Sequence, residues 1–180
     1  MKDKKELFFD LENQKWRFNV FKWINDSVLV DSSYNSSFRS MEKMIENTHL
    51  LQKKVFPNHK VGFVLWDLRE LWDESEKTHN KLVSLLAEAD YVVTVWKEMK
   101  KYVASKLDFA KAFLSSREAG EQIKSDLESW EDKYIILFKW SQNTIFVEEA
   151  LKSVLKDEKD VEGLVRQDED WMKRKEKFLN

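Results

Sequence analysis

Residues 60–116 read KVGFVLWDLRELWDESEKTHNKLVSLLAEADYVVTVWKEMKKYVASKLDFAKAFLSS, a segment without proline whose one glycine, Gly62, lies near its start. Apolar side chains recur through it at steps of three and four residues, as in Leu82, Leu86 and Ala89. As one continuous helix the segment would be roughly 85 Å long. A helix of that length needs neighbours to cover its apolar stripe, so the segment predicts other helices packed along it.

The composition also favours helices. The 180 residues include three glycines and one proline, far below the ordinary shares of about 7% and 5%, and 36% of the residues are charged. A chain of this length can bury a core within one domain. We therefore predict an all-α protein, an elongated antiparallel bundle of about five helices with long, coiled-coil-like central helices, as a single domain over residues 1–180.

Three parts make up the predicted bundle. Residues 1–56 form aromatic N-terminal helices that end before Pro57, because proline disfavours helical geometry at the residue preceding it. Residues 60–116 form one long central helix or a helix pair, and residues 117–180 form the C-terminal helices. A corner is predicted at Ser115-Ser-Arg-Glu118, which matches a capping box. The polar run 31–37 is typical of a loop.

A competing interpretation is an α/β sheet. Three short runs are β-branched or aromatic enough to be buried strands, namely Gly62–Trp66, Tyr91–Trp96 and Tyr134–Phe138. Such folds usually place glycine and other turn residues where strands pass into helices, and the run 91–96 has no helix breaker on either side. We therefore favour the helical bundle over the sheet.

The charge and the cysteine count exclude several classes of function. The chain has 31 basic and 33 acidic side chains, a formal net charge of −2, which disfavours nucleic-acid binding and makes membrane binding unlikely. The absence of cysteine excludes disulfides, thiol nucleophiles and thiolate metal sites. The sequence contains neither a signal-peptide pattern nor an apolar run long enough for a membrane span. We therefore predict a cytoplasmic protein.

Two histidines belong to the pattern Glu-x-x-His, formed by Glu46 with His49 and by Glu76 with His79. On a helix this spacing puts a carboxylate and an imidazole on one face, as in ferritin-like di-metal proteins. The alternative interpretation is a pair of solvated helix faces, which we favour because the flanking residues are charged. No Gly-x-Ser-x-Gly elbow and no glycine-rich phosphate loop is present. We assign no catalytic residue, no cofactor and no metal ligand.

The chain is rich in tryptophan, with eight residues of this type. Trp72, Trp96 and Trp130 fall on the apolar stripes and are predicted to lie in the core. The other five fit the stripes less well, and tryptophan is enriched at interface hot spots. They are therefore the predicted partner-binding residues: Trp16, Trp23, Trp66, Trp140 and Trp171.

Three functions follow from these observations. We favour a non-enzymatic protein-protein interaction or scaffold module that presents aromatic and charged helix faces to another protein or to a second copy of itself. The first alternative is a helical bundle at a membrane surface, with a lysine-rich face formed by Lys97, Lys100, Lys101, Lys106 and Lys111. The second alternative is a di-metal carboxylate enzyme of ferritin-like type.

Overall fold

A computed structural model describes residues 19–32, 37–139, 148–155, 158–164 and 166–179, with the backbone alone for residues 158 and 176–179. Its centre is a six-stranded sheet in the order β1-β2-β6-β3-β4-β5. The strands are β1 (Asn19–Lys22), β2 (Val28–Ser32), β3 (Lys60–Trp66), β4 (Tyr91–Val95), β5 (Lys111–Phe113) and β6 (Tyr134–Lys139). β1 runs antiparallel to β2, and all other neighbouring strands are parallel.

Seven α-helices lie in the described ranges. They are α1 (Phe38–Val55), α2 (Ser75–Leu86), α3 (Lys97–Tyr102), α4 (Ser116–Ser129), α5 (Glu148–Val154), α6 (Glu158–Val161) and α7 (Glu169–Leu179). Short 3₁₀ turns span Ile24–Asp26, Trp72–Glu74 and Ala104–Lys106. None of the helices in these ranges is long and apolar enough to cross a lipid bilayer.

The sheet separates two apolar cores. On one face, α1, α2 and α3 pack through side chains such as Met41, Leu82 and Met99. On the other face, α4 and α5 pack through side chains such as Ile123 and Leu151. Each fully buried side chain of this kind stabilises the fold by about 1.5–3 kcal/mol. The protein is thus a three-layer α/β/α structure in which the central strands are covered on both faces.

The prediction of an all-α, elongated antiparallel bundle with coiled-coil-like central helices is therefore wrong. Residues 60–116, predicted as a long helix or helix pair, contain β3, β4 and β5, and the longest helix among them is the twelve-residue α2. The competing α/β interpretation is confirmed, since its three runs coincide with β3, β4 and β6. A strand buried on both faces is a continuous apolar run, which periodicity does not distinguish from a buried helix.

Two predicted boundaries are confirmed. Helix α1 ends at Val55, before Pro57. Helix α4 begins at Ser116, and the Ser115 hydroxyl accepts a hydrogen bond from the Glu118 N–H at 3.4 Å. The single domain over residues 1–180 stays a prediction.

Candidate functional site

The crossover connections leave the sheet toward different faces at one of its edges. We call this the carboxyl edge, where β2 ends at Ser32, β3 at Trp66, β4 at Val95 and β6 at Lys139. The chain after β2 enters α1 on one face, whereas α5, which follows β6, packs on the other face. In open parallel sheets, ligands bind outside the carboxyl ends of the strands where neighbouring connections diverge in this way. The neighbouring ends of β2 and β6 are thus the candidate site.

Two buried ionisable side chains mark this position. Asp31 and Lys139 lie near the ends of the adjacent strands β2 and β6, in which Ser32 is paired with Lys139. The Nζ atom of Lys139 donates a hydrogen bond to the Ser32 carbonyl at 3.1 Å. Only 2% of Lys139 is exposed. A buried lysine and a buried aspartate are rarely kept without a specific role, because removing each charge from water costs several kcal/mol.

The environment of Lys139 changes its acidity. Burial lowers the pKa of Lys139 from 10.5 to about 8, while the negative charge of Asp31 opposes this change. The ammonium is therefore mostly protonated at pH 7 and is close to the range in which it loses its proton. Such a group can bind an anionic oxygen of a phosphate or carboxylate.

Asp67 follows β3 and organises the neighbouring part of the carboxyl edge. Its carboxylate accepts hydrogen bonds from the N–H groups of Met99 and Glu98, at 2.7 Å and 3.1 Å, at the start of α3. It thereby acts as an N-cap contributed by another strand. Burial raises the pKa of Asp67, and the two backbone hydrogen bonds limit that rise.

His79 is buried beneath the same loop, and both of its ring nitrogens have hydrogen-bond partners. Its Nδ1 lies 2.8 Å from the Ser75 carbonyl, which only accepts, and its Nε2 accepts from the Leu68 N–H at 3.1 Å. These contacts select the neutral tautomer with the proton on Nδ1. The Ser75 hydroxyl also donates to Oε2 of Glu98 at 2.8 Å, which links α2 to α3. His79 therefore holds the loop after β3 in place.

The di-metal site considered as an alternative does not form in the described ranges. His49 packs against Phe63 with ring centroids 5.2 Å apart, and Glu46 is bound to Lys43 on the surface. Across the described ranges, no three residues of the types His, Cys, Asp and Glu are placed to hold a metal ion. His79 has no nitrogen left for a metal. The ferritin-like interpretation is therefore wrong.

The lysine-rich face predicted for membrane binding does not form either. Helix α3, which carries Lys97, Lys100 and Lys101, has six residues, and Lys106 donates to Asn80 at 2.6 Å. Lys111 lies on β5 and forms an ion pair with Asp126 at 2.6 Å. These five lysines do not share one helix face, so the prediction of a membrane-surface bundle is wrong.

Two exposed tryptophans follow strand ends of the carboxyl edge. Trp72 is 88% exposed with φ of 45°, and Trp96 is 38% exposed with φ of 87° and ψ of 175°. Their prediction as core residues is therefore wrong, whereas Trp130 is partly buried and stacks on Tyr134 at 4.1 Å. Non-glycine residues in such regions cost of order 1–3 kcal/mol each. The connections after β3 and β4 thus carry backbone strain at the carboxyl edge.

The predicted partner-binding tryptophans have varied positions. Trp23 and Trp66 are buried in the core, and Trp171 is half-buried between the guanidinium groups of Arg166 and Arg174. Trp16 and Trp140 lie outside the described residues. Partner binding by these rings stays a prediction, as does the association with another protein or a second copy.

Sequence reasoning missed Asp31, Asp67 and Lys139. Asp31 belongs to the predicted loop 31–37, and Lys139 belongs to the predicted C-terminal helices. A usable signal was present for two of them, because Asp67 and Lys139 directly follow apolar runs that the α/β interpretation treats as strands. Polar residues at the carboxyl ends of parallel strands are candidate ligand-binding residues.

Comparison with known proteins finds solved structures with a similar fold. No protein-family model matches the chain, and no curated protein matches it. The chain is similar to MurF from Acinetobacter baumannii, with a TM-score of 0.67 and 21% identity over 81% of this chain and 31% of that chain. It is also similar to the MurF ligase from Thermotoga maritima in complex with ADP, with a TM-score of 0.64 and 21% identity over 85% and 33%.

A third solved structure corresponds to the chain in size. It is a domain assigned to a UDP-N-acetylmuramate:L-alanyl-gamma-D-glutamyl-meso-diaminopimelate ligase from Haemophilus ducreyi, with a TM-score of 0.51 and 15% identity over 77% of this chain and 97% of that domain. These likenesses show the fold. The chain spans about a third of the length of the MurF structures that it matches.

These findings overturn the predicted function. The prediction of a non-enzymatic protein-protein interaction or scaffold module depended on a helical bundle with aromatic helix faces. The chain instead has an α/β fold that it shares with domains of ligases. The prediction of a scaffold and the prediction that the protein is not an enzyme are therefore wrong.

Proposed function

We propose that the chain is one domain of a Mur-type ligase and that its carboxyl edge binds an anionic ligand of that enzyme. The likeness to MurF structures, one of them in complex with ADP, supports this class of enzyme. Because the chain spans about a third of those structures, the remainder of the enzyme supplies the other parts of the reaction site.

The observation that carries the proposal is the buried Lys139 at the end of β6. β6 lies between β2 and β3, so Lys139 is at the centre of the sheet. Ligase reactions that involve ADP have anionic reactants, since both phosphate and carboxylate groups carry negative charge at pH 7. An ammonium in a dry environment binds such oxygens more strongly than one in water.

The neighbouring groups would position this ammonium. The Ser32 carbonyl accepts one of its N–H bonds at 3.1 Å, and the charge of Asp31 keeps its pKa from falling further. The three donors of a lysine rotate on a flexible stem, so a fixed acceptor restricts the directions of the others. In this proposal Lys139 binds the ligand, and Asp31 and Ser32 are positioning residues.

Nuclear magnetic resonance of the ¹⁵N-labelled chain tests the proposal. Addition of ADP should shift the amide signals of Ser32, Asp67 and Lys139, and Lys139→Met should weaken that binding at least tenfold. Lys133→Met is the matched control, because Lys133 forms an exposed pair with Asp26 near the opposite ends of the strands. A parallel titration with UDP-N-acetylmuramate separates nucleotide binding from substrate binding.

Two outcomes would contradict the proposal. The first is that neither ligand shifts signals of the carboxyl edge. The second is that Lys139→Met binds as well as Lys133→Met does.

The cytoplasmic location predicted from the cysteine-free sequence belongs to this proposal, since a chain without thiols needs no oxidising compartment.

A further inference from the structure

Glycine is scarce in this chain and tryptophan is abundant. There are three glycines and eight tryptophans among 180 residues, so the two types together make up about 6% of the chain. That sum is close to the ordinary share of glycine alone, about 7%. An α/β fold with short connections needs glycine at several turns, so in this chain other residues must occupy some of those turns.

Trp96 occupies a backbone conformation that belongs to glycine. Its φ of 87° and ψ of 175° lie in a region that is essentially restricted to residues without a Cβ atom. The position is fixed from both sides, because the Trp96 N–H donates to the Phe113 carbonyl at 2.8 Å and the Trp96 carbonyl accepts from the Lys100 N–H at 3.1 Å. The turn from β4 into α3 therefore requires this conformation.

Trp72, in the loop after β3, also has a backbone conformation that favours glycine. Its φ is 45°, in the left-handed region, and its indole is 88% exposed. An exposed side chain gains little from packing, so packing of the Trp72 indole does not offset the strain of its backbone. Six non-glycine residues in the described ranges have a positive φ: Asn25, Asp26, Glu70, Trp72, Trp96 and Arg166. Two of the six described tryptophans are among them, and both follow strands at the carboxyl edge.

The three glycines have a different role. None of them has a positive φ. Gly120 instead allows a close approach, since a Cβ there would lie 2.8 Å from the Cα of Ala150. Gly120 therefore serves the packing of two helices, and the turns with a positive φ at positions 72 and 96 carry tryptophan instead of glycine.

We infer that positions 72 and 96 are glycine in the protein that its own cell makes, because the codons there are read as glycine. The codon UGA differs by one base from the glycine codon GGA and by one base from the tryptophan codon UGG, and its meaning differs between genetic codes. One reassigned codon would account for two of the eight tryptophans and for both strained turns together. Glycine at position 96 also removes an indole from the carboxyl edge.

Mass spectrometry of peptides from the protein purified from its native source tests the inference directly. The peptides that contain positions 72 and 96 should have the masses expected for glycine. The same digest reads the other six tryptophan positions. Tryptophan at position 72 or at position 96 would overturn the inference.

The recombinant chain tests the structural premise independently. Trp72→Gly and Trp96→Gly should each raise the urea midpoint of unfolding, and Trp96→Ala should raise it less because alanine keeps the Cβ atom. Trp130→Gly is the matched control, since Trp130 has an ordinary φ of −87° and ψ of 139°, and it should lower the midpoint. If Trp72→Gly and Trp96→Gly lower the midpoint as Trp130→Gly does, the inference fails.

Discussion

The Nζ atom of Lys175 lies 2.9 Å from Oε1 of Glu148, and both side chains are buried. Lys175 belongs to α7 and Glu148 to the first turn of α5, so this ion pair connects the C-terminal helix to the layer that covers the sheet. The same Nζ donates to Oε1 of Glu149 at 2.8 Å. Arg166 adds a second positive charge, with its Nε 3.6 Å from Oε1 of Glu148.

Removal of Lys175 should strongly destabilise the attachment of α7. Lys175→Ala leaves the fully buried Glu148 without its nearest cation, and breaking one side of a buried pair costs about 3–5 kcal/mol. Hydrogen exchange should show faster exchange in α7 and α5. Urea unfolding should give a lower free energy of unfolding for the whole chain if α7 unfolds together with the sheet.

An exposed pair provides the control for this prediction. Lys43→Ala removes an ion pair of the same length, 2.9 Å to Glu46, on the surface of α1, and should change the free energy by less than about 1 kcal/mol. The double variant Glu148→Gln with Lys175→Met removes both charges and should be more stable than Lys175→Ala. Equal decreases in the free energy of unfolding for Lys175→Ala and Lys43→Ala would contradict the prediction that the buried ion pair stabilises the fold more than the exposed one.

The pKa of Lys139 leads to a titration that is visible by nuclear magnetic resonance. We expect the Cε signal of Lys139 to titrate with a midpoint near the pKa of about 8, whereas surface lysines titrate near 10.5. The charge of Asp31 raises this pKa, so Asp31→Asn should shift the midpoint further down. A midpoint near 10.5 would show that Lys139 is solvated.

The same pKa predicts how stability depends on pH. Between about 8 and 10.5 the unfolded chain binds a proton at Lys139 that the folded chain lacks, so the stability contributed by Lys139 rises with pH across this window. Relative to Lys139→Met, the wild-type chain should gain on the order of 3 kcal/mol from pH 8 to pH 10.5. Urea unfolding at several pH values measures this difference. A constant difference between the two chains would contradict the expected linkage.

The strands can be recognised as apolar runs in the sequence, but the positions at which they end cannot. The runs Gly62–Trp66 and Tyr91–Trp96 are apolar on both faces, because helices cover both faces of the sheet. The turns that follow them usually carry glycine, and here the residues with a positive φ are Glu70, Trp72 and Trp96. Because no glycine marks the ends of these strands, residues 60–116 have the apolar spacing of one continuous helix. The proline and capping-box boundaries were predictable because they depend on local sequence alone.

The candidate site could not be derived from local patterns. Asp31 and Lys139 are separated by more than one hundred residues and become neighbours only because β6 inserts between β2 and β3. Strand order is a property of the whole chain, so no short motif reports it. The type of residue was informative, since a charged side chain at the end of an apolar run is costly to bury.

Replacement of Asp67 should weaken the start of α3. Asp67→Ala removes the acceptors for the Glu98 and Met99 N–H groups and should cost about 0.5–2 kcal/mol, while Asp67→Asn, which keeps one oxygen, should cost less. Burial raises the pKa of Asp67, so the folded chain holds its proton to higher pH than the unfolded chain. The stability contributed by Asp67 therefore falls as the pH rises above 3.8 through the raised pKa.

Urea unfolding of the wild-type chain and of Asp67→Asn, at pH 3.8 and at neutral pH, tests whether the stability contributed by Asp67 falls as the pH rises. The advantage of the wild-type chain over Asp67→Asn should be larger at the acidic pH. Asp73→Asn, at an exposed residue, is the control and should show no such trend. An advantage that grows toward neutral pH would mean that the hydrogen bonds of Asp67 outweigh its burial.

The close approach of α4 and α5 leads to a prediction for Gly120. A Cβ atom there would lie 2.8 Å from the Cα and 2.9 Å from the carbonyl oxygen of Ala150, and neither backbone atom can move without shifting α5. Gly120→Ala should therefore lower the free energy of unfolding by about 1–3 kcal/mol, although alanine favours helices. Lys124→Ala on the exposed side of α4 should have little effect in the same urea experiment. If Gly120→Ala raised the free energy of unfolding, the helix propensity of alanine would outweigh the steric clash. The space between α4 and α5 would then be wider than the 2.8 Å from the added Cβ atom to the Cα of Ala150 implies.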